Sequence, residues 1–480
     1  MSVNYLKVIV ASAVFTVSSA IAFAQAPTAQ GAPASPGASG GTKPSAQENA
    51  AAAKADAAKS LHDIRKETLL YGIDSQIQDL LATLQTDKDN TLNPEVEQVF
   101  KETINPDVQK AALDLLDTVK DWAIAPEVEK ILTNRLQSGD TGDDTVVISA
   151  IRYLTDAKDA SALPLMTKLV DDQSRSIAFE AIASIGKLGG DSQAQMLLAN
   201  LKDPNFAQVL KPQIVLALGE IKSLAAVPEL TSILQNQDQD PTMRRYACDA
   251  LGKIGDPSSI KAITRAFSDK DTYLRSYAVS ALSHFSGPQV DTMLTQALKD
   301  SFWRVRVNAA ESLGKKKVAS AVPILEYKSR YDPELVVQKA ALAALGTINN
   351  SESIDFLRKV FSNSLVNPAL RTVALDSLVS NDLPGSLSEI EKYIHSEWDK
   401  PTNPLLDYTC KQLSQAKDPK LEPLFERFLS SPSLNIQIYG LRGIRQNNFK
   451  DLLKKVQEFD KPTVNTSVRA AAEQAIQTLK

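Results

Sequence analysis

The chain has 480 residues, of which 43% are hydrophobic and 23% are charged, a composition typical of a folded globular protein. Its 53 basic and 57 acidic side chains give a formal net charge of −4, which excludes a strong overall attraction to nucleic acid or to an anionic membrane. With only two cysteines, a fold held together by several disulfides is also excluded.

The first predicted element is a secretory signal peptide at residues 1–24. One cation, Lys7, precedes an apolar run over residues 8–22, and the segment ends in Ala-Phe-Ala, with small residues at the two positions that a signal peptidase reads. The run is short for a membrane span, and no stop-transfer charges follow it. We therefore expect cleavage after Ala24 and a periplasmic or secreted mature chain without a membrane span. An uncleaved N-terminal anchor is the alternative.

Two further segments precede the main body of the chain. Residues 25–45 consist almost entirely of Ala, Pro, Gly, Ser, Thr and Gln, which predicts a disordered linker. Residues 46–104 are predicted to form an N-terminal helical capping region. Within that region, the segments IDSQIQDLLATL and NPEVEQVFKETI look like a degenerate helix pair.

From residue 105 onward, one apolar pattern returns about every 32 residues, which is typical of a solenoid. We use one apolar residue of each copy as an anchor, for example Leu251 in the segment Ala-Leu-Gly. The residue eight positions before each anchor is apolar and the residue four positions before it is mostly alanine, so these positions line one stripe of a helix. A second helix follows each first helix after a short turn, and such a pair can bury both its faces only by stacking on its neighbours. The anchors are Leu116, Leu154, Ile185, Leu218, Leu251, Leu282, Leu313, Leu345, Leu378, Leu413, Ile444 and Ile476.

The starts of the first helices carry their own signal. Asn105-Pro106, Asp240-Pro241 and Asn367-Pro368 each combine a good N-cap residue with a proline at the first helical position. We therefore predict that helices begin at these three points.

Repeat units such as DPTMRRYACDALGKIGDPSSIKAITRAFSD and SFWRVRVNAAESLGKKKVASAVPILEYKS resemble HEAT repeats. They are most similar to the short bacterial kind called PBS-lyase HEAT-like repeats. The resemblance covers residues 105–480 and implies an all-α, right-handed solenoid of about twelve stacked helix pairs. The signal peptide, the flexible linker and the capping region precede this solenoid.

The two cysteines, Cys248 and Cys410, raise the question of a reactive thiol, because Arg244 and Arg245 precede Cys248 and a nearby cation lowers a thiol pKa. Both cysteines fall three residues before an anchor, in a column that is otherwise apolar. We interpret them as small buried hydrophobic residues. No disulfide is expected, because the two lie five repeats apart.

A column of cations lies seven residues before the anchors. We predict that it forms a structural ladder with acidic residues such as Asp240, Asp271 and Asp300 in adjacent turns. The alternative is a basic stripe that binds an acidic partner. The cations are Lys211, Arg244, Arg275, Arg306, Arg371 and Arg469.

One helix start differs from the others, because it carries two aromatic residues where other copies have Asp-Pro or Asp-Thr. An exposed tryptophan beside an arginine is a common hot spot of protein interfaces, although the same residue packed on the previous repeat would only fill space. The same repeat also carries a run of three lysines. The candidate partner-binding residues are Phe302, Trp303, Arg304, Lys315, Lys316 and Lys317.

No motif indicates catalysis, a cofactor or a metal site, and the three histidines fall in different repeats. We therefore predict a non-enzymatic protein-interaction scaffold in the cell envelope, with an unidentified protein partner and with specificity on second helices and turns. Nucleic acid is not an expected partner, because the chain carries an export signal and lacks interleaved aromatic residues. One alternative is a structural component of an envelope or appendage assembly. The other, implied by the repeat type, is an enzyme or chromophore-handling protein of the bilin-lyase kind.

Overall fold

The structure is a computed structural model that describes residues 61–138, 143–400 and 402–480. The predicted signal peptide, the predicted linker and the start of the predicted capping region lie outside these ranges. Contacts between residues divide the chain into two units, residues 1–64 and 65–480, and the helical repeats lie in the second unit.

All regular structure in the described ranges is helical, with 25 helices and no strands. In chain order they are α1 Leu61–Tyr71, α2 Asp74–Asp87, α3 Asn93–Glu102, α4 Pro106–Val119, α5 Ala125–Ser138, α6 Asp144–Asp156, α7 Leu163–Leu169, α8 Arg175–Leu188, α9 Asp191–Lys202, α10 Lys211–Ile221, α11 Val227–Gln235, α12 Pro241–Ile254, α13 Ile260–Ala266, α14 Thr272–Leu282, α15 Pro288–Ala297, α16 Trp303–Lys315, α17 Val322–Tyr331, α18 Leu335–Ile348, α19 Ser351–Ser362, α20 Pro368–Glu397, α21 Pro404–Leu413, α22 Glu422–Leu429, α23 Leu434–Asn447, α24 Leu453–Gln457 and α25 Thr466–Leu479. Short 3₁₀ segments precede several second helices, for example Pro257–Ser259 before α13.

First and second helices alternate along the chain, and each first helix packs on its own second helix and on the first helices of the neighbouring repeats. The predicted stripe forms the core: in α12, Met243, Ala247, Cys248 and Leu251 are all buried, and every anchor is buried as well. The predicted all-α solenoid is therefore confirmed.

The predicted helix starts are confirmed by their hydrogen bonds. The side chain of Asn105 accepts from the backbone N–H of Asp107 at 2.9 Å. In the same way Asp240 accepts from Thr242 at 2.8 Å, and Asn367 accepts from Ala369 at 2.9 Å. Each cap satisfies a backbone donor that would otherwise have no partner within the helix.

Successive first helices approach each other most closely where a glycine faces a small residue. The glycine follows the anchor, and the small residue precedes the next anchor. A Cβ placed on Gly252 would lie 2.6 Å from the Cα of Ala281, and one on Gly219 would lie 2.7 Å from the Cα of Ala250. No real Cβ tolerates such a distance, so glycine is what permits this spacing. The glycines of this column are Gly186, Gly219, Gly252, Gly314 and Gly346.

In one repeat, the turn between the two helices is reduced to a break at a single residue. Helix α20 runs through both of its helices, with a kink at Asp382, where φ is −148° and ψ is 37°. The Asp382 carboxylate accepts hydrogen bonds from Arg358 at 2.6 Å and from Ser386 at 2.7 Å. These bonds hold the kink in place of the expected turn.

Among the residues that the structure describes, seven other than glycine adopt a left-handed backbone, most of them directly after a helix. They close the preceding helix by donating their N–H groups back to its last carbonyls, as glycine does in other proteins. These residues are Lys88, Lys120, Lys158, Lys222, Lys317, Asn349 and Asn448.

The glycine column yields a stability prediction. A Gly→Ala change inside a helix normally stabilises it by about 1 kcal/mol. At Gly252 we expect the opposite sign, a destabilisation of about 1–3 kcal/mol, because the added methyl group overpacks against α14. The measurement is the urea midpoint of unfolding. The exposed Gln296→Ala serves as a control that leaves the midpoint nearly unchanged, and a more stable Gly252→Ala protein would contradict the close approach.

Candidate protein-binding groove

The cation column forms an internal ladder between repeats. Arg275 binds both carboxylate oxygens of Asp300 at 2.8 and 2.9 Å, and Arg306 binds both oxygens of Asp332 at 2.8 and 2.7 Å. Bidentate pairs of this kind are the strongest charge-assisted hydrogen bonds. The same guanidinium groups also donate to backbone carbonyls, as when Arg306 binds the Asp300 oxygen at 2.9 Å.

The ladder confirms the structural interpretation for Arg244, Arg275 and Arg306, and of the predicted acidic partners only Asp300 takes part in it. Lys211 and Arg371 donate to backbone carbonyls instead, and Arg469 pairs with Glu473 of its own helix. Arg244 binds Asp269 at 2.7 Å, while Asp271 binds the neighbouring Arg245 at 2.8 Å. Asp240 serves as an N-cap. Since Arg244 and Arg306 are buried, the column is not a surface stripe that could meet an acidic partner.

The cysteines are free and buried, as predicted. Burial, with a smaller contribution from Asp249, raises the pKa of the Cys248 thiol, and the charge of Arg244 only partly opposes this. Burial likewise raises the pKa of Cys410. Neither thiol is therefore activated as a nucleophile.

The structure places Phe302, Trp303 and Arg304 together at the start of α16, against the preceding first helix, α14. The Phe302 ring contacts the Tyr273 ring edge-on at a centroid distance of 5.3 Å. The Arg304 guanidinium lies 4.8 Å from the centre of the Trp303 ring and 5.7 Å from that of Tyr273. Trp303 is half-buried and Arg304 is exposed, so both a packing contact and an accessible surface are present.

Tyr273, Trp303 and Arg304 border a groove of about 510 Å³ between α14 and α16, which we call the first-helix groove. One wall follows α14 with tyrosine and serine side chains, and the other follows α16. Arg245 covers the outer face of Tyr273 at 5.1 Å from the ring centre. The groove is lined by Asp249, Tyr273, Ser276, Tyr277, Ser280, Trp303, Arg304, Val307, Asn308 and Glu311.

The three lysines lie at the other end of α16, about 18 Å from Trp303 along a 13-residue helix with a rise of 1.5 Å per residue. Lys316 is half-buried and donates to the Phe285 carbonyl at 2.6 Å. Lys315 is exposed, and Lys317 is exposed with φ of 54°. The six candidate residues therefore form two separate groups, and of the six only Trp303 and Arg304 line the groove.

Tyr273 and Tyr277 are groove residues that the sequence interpretation missed. Tyr277 lies five positions before its anchor, a column that also holds Tyr246 in the preceding repeat, and this recurrence was an available signal. Binding was expected on second helices and turns, whereas this groove lies between first helices. Burial, together with the charge of Asp249, raises the pKa of Tyr277, so its hydroxyl remains a hydrogen-bond donor at neutral pH.

Within residues 61–138, 143–400 and 402–480, no group of three or more His, Cys, Asp or Glu side chains is placed to hold a metal ion. Over the same ranges, no helix combines the length and apolarity needed to cross a bilayer.

The family model described as "Spirochaete HEAT repeat protein" matches residues 69–475 of this chain. The chain belongs to the spirochaete HEAT repeat protein family. Residues 74–102, assigned to the capping region by sequence, lie inside this match, and α2 packs on α4 as other successive first helices do.

Among curated proteins, this HEAT repeat chain is similar to deoxyhypusine hydroxylase. The enzyme of Gallus gallus is 32% identical over 91 residues, which cover 19% of this chain and 30% of the enzyme. That of Homo sapiens is 31% identical over 102 residues, which cover 21% and 33%. The chain thus spans about a third of the length of these two relatives.

Solved structures with similar folds share little sequence with this HEAT repeat chain. Importin beta is 14% identical with a TM-score of 0.44, and the match covers 91% of this chain and 70% of importin beta. The complex of CpcE and CpcF of phycocyanin lyase from Nostoc sp. is 17% identical with a TM-score of 0.32, covering 49% and 94%. Neither similarity identifies a partner for this chain.

The prediction that the chain is not an enzyme is contradicted by these comparisons. Deoxyhypusine hydroxylase, an enzyme, appears among the relatives by sequence, at 32% identity for the protein of Gallus gallus and 31% for that of Homo sapiens. The physical reason for the error is that a helical repeat without a familiar motif can still carry catalytic side chains, so the lack of a motif excludes nothing.

The ladder predicts a pH dependence of stability. Burial alone would raise the pKa of Asp332, but hydrogen bonds from Arg306, Glu334 N–H and Lys328 lower it below its ordinary value. The ionised Asp332 carboxylate therefore contributes its full stabilisation of the folded state at pH values above about 3.9, the pKa of an unfolded aspartate. This stabilisation is lost as the pH falls from there through the lower pKa of Asp332 in the folded protein.

Asp332→Asn tests this ladder. At pH 7 we expect a loss of about 3–5 kcal/mol of unfolding free energy, because the variant leaves Arg306 buried without a charged partner. Urea midpoints measured between pH 6 and 2 should fall less steeply for the variant than for the wild type below pH 4. Parallel curves would contradict the assignment.

Proposed function

We propose that this chain is a protein-binding scaffold that holds a partner in the first-helix groove. The observation that carries this proposal is the accessible cluster of Tyr273, Trp303 and Arg304 at the mouth of the groove. Tryptophan, tyrosine and arginine are the side chains most enriched at interface hot spots. Arg304 forms no ion pair with any residue that the structure describes, so its charge is available to a ligand.

The repeat architecture supports this function through its rigidity. The walls of the groove stand on two helices that are joined by the core and by the Arg275–Asp300 pair. Side chains fixed in this way lose little conformational entropy on binding, which favours affinity. Contacts made by neighbouring repeats can add to those of the groove.

We also propose that the scaffold works outside the cytoplasm, in the cell envelope or beyond. The support is the sequence of residues 1–24, which has the charge, apolar run and cleavage signal of a secretory signal peptide. Residues 25–45, which are rich in Ala, Pro and Gly, follow this segment.

Trp303→Ala tests the binding proposal. A partner is first captured with the wild-type chain by cross-linking in cells and identified by mass spectrometry. We expect the purified variant to bind that partner at least about tenfold more weakly, because truncating a hot-spot tryptophan removes about 2 kcal/mol or more of binding free energy. Tyr327→Ala, which truncates an exposed aromatic residue on α17, is the matched control. Equal affinities of the wild type and Trp303→Ala would refute the groove as the binding site.

The export proposal has its own test. We expect the mature protein isolated from cells to begin at Gln25, as read by mass spectrometry of its N-terminal peptide. Ala24→Lys should leave the precursor uncut, because a signal peptidase requires a small residue at this position. Recovery of the wild-type protein with residues 1–24 intact would contradict cleavage.

A further inference from the structure

The α16 wall of the first-helix groove carries two opposite charges. Arg304 and Glu311 lie seven residues apart on α16, which places them on one face of the helix about 10.5 Å apart along its axis. Both line the groove, and both are exposed. Neither forms an ion pair with the residues that the structure describes. A ligand that follows the groove therefore meets a cation first and an anion two helical turns later.

Between these charges the groove presents flat aromatic surfaces and unused donors. The rings of Tyr273, Tyr277 and Trp303 border its apolar part. Across the part of the chain that the structure describes, the hydroxyls of the two tyrosines and the indole N–H of Trp303 form no hydrogen bond. Such side chains combine an apolar face with a polar tip that seeks an acceptor.

Two common peptide conformations match this spacing with one side of the chain. An α-helix does so with residues seven apart, at about 10.5 Å, but its carbonyls bond to its own backbone and are not free for the unused donors of the groove. A polyproline II helix has three residues per turn and rises 3.1 Å per residue, so residues n and n+3 share a side about 9.3 Å apart. A β-strand places residues on one side about 6.6 or 13 Å apart, because its side chains alternate. Polyproline II segments also leave their carbonyls free and dock on aromatic grooves.

We propose that the first-helix groove binds a proline-rich segment of a partner protein in the polyproline II conformation, with an acidic and a basic residue three positions apart. The acidic side chain binds Arg304, the basic side chain binds Glu311, and the intervening prolines pack on Tyr273, Tyr277 and Trp303. This inference rests on the proposed function, because it specifies the partner of the same groove.

The probe is a fluorescein-labelled peptide with the core Asp-Pro-Pro-Lys flanked by prolines, and the readout is fluorescence anisotropy with the full mature chain. A peptide with one extra proline between the charges moves them out of phase by about 120°. We expect the extra proline to weaken binding at least tenfold. Equal binding of the two peptides would overturn the inference.

Charge reversal gives a sharper readout than loss of binding. We expect Arg304→Glu to bind Asp-Pro-Pro-Lys at least tenfold more weakly than the wild type and to prefer Lys-Pro-Pro-Lys. Arg442→Glu reverses an exposed arginine on another first helix and is the matched control, with unchanged preference. An Arg304→Glu variant without reversed preference would overturn the inference, after circular dichroism has shown that it folds.

The two proposals can fail separately. If Trp303→Ala weakens the natural partner while the wild type binds no Asp-Pro-Pro-Lys peptide, the groove is a binding site and the inferred ligand chemistry is wrong.

Discussion

The close approach of successive first helices is the constraint on which the other features depend. A glycine after one anchor faces a small residue before the next, as in Gly252 against Ala281. This contact sets the distance between neighbouring repeats. Arginine can then reach a carboxylate in the following repeat, and side chains on the outer surface of two adjacent helices can border a common groove. A larger residue in either column would push the helices apart, and this would change both the arginine–carboxylate pairs and the groove.

The same helices contribute to the ladder and to the groove. Residues only two positions apart on a helix can belong to one or to the other. On α16, Arg306 faces inward and pairs with Asp332, while Arg304 faces outward and lies on Trp303. Two residues span about 200° of an α-helix, so these arginines lie on nearly opposite sides. The inner one is fully engaged in structure, which leaves the outer one available to bind. Two arginines this close in the sequence look alike, so the sequence by itself does not distinguish the structural arginine from the one that is free to bind.

Much of the fold could be predicted because burial repeats with the period of the structure. The anchors, the alanines before them and the capping residues Asn105, Asp240 and Asn367 all follow from helix geometry and local hydrogen bonding. The kink at Asp382 could not be predicted, since it depends on Arg358 of another helix. The glycine contacts that set the distance between first helices could not be predicted either, because alanines occur at several positions of each repeat and only the structure shows which of them face a glycine.

The candidate groove was predicted only in part, for a related reason. Trp303 and Arg304 were noticeable because they break the pattern of their column. Tyr273 and Tyr277 were not, since exposure of a tyrosine between two helices depends on the register of both. The lysines at residues 315–317 were grouped with the aromatic residues by closeness in sequence. The length of α16 puts them at the opposite end.

The left-handed turns have a consequence for engineering. A lysine in this conformation costs about 1–2 kcal/mol relative to an ordinary backbone, a strain that glycine avoids. Lys88, Lys120, Lys158 and Lys222 all carry it at the ends of helices remote in sequence from α14 and α16. Replacing any of these four lysines by glycine should therefore raise the thermal stability of the protein without altering the first-helix groove.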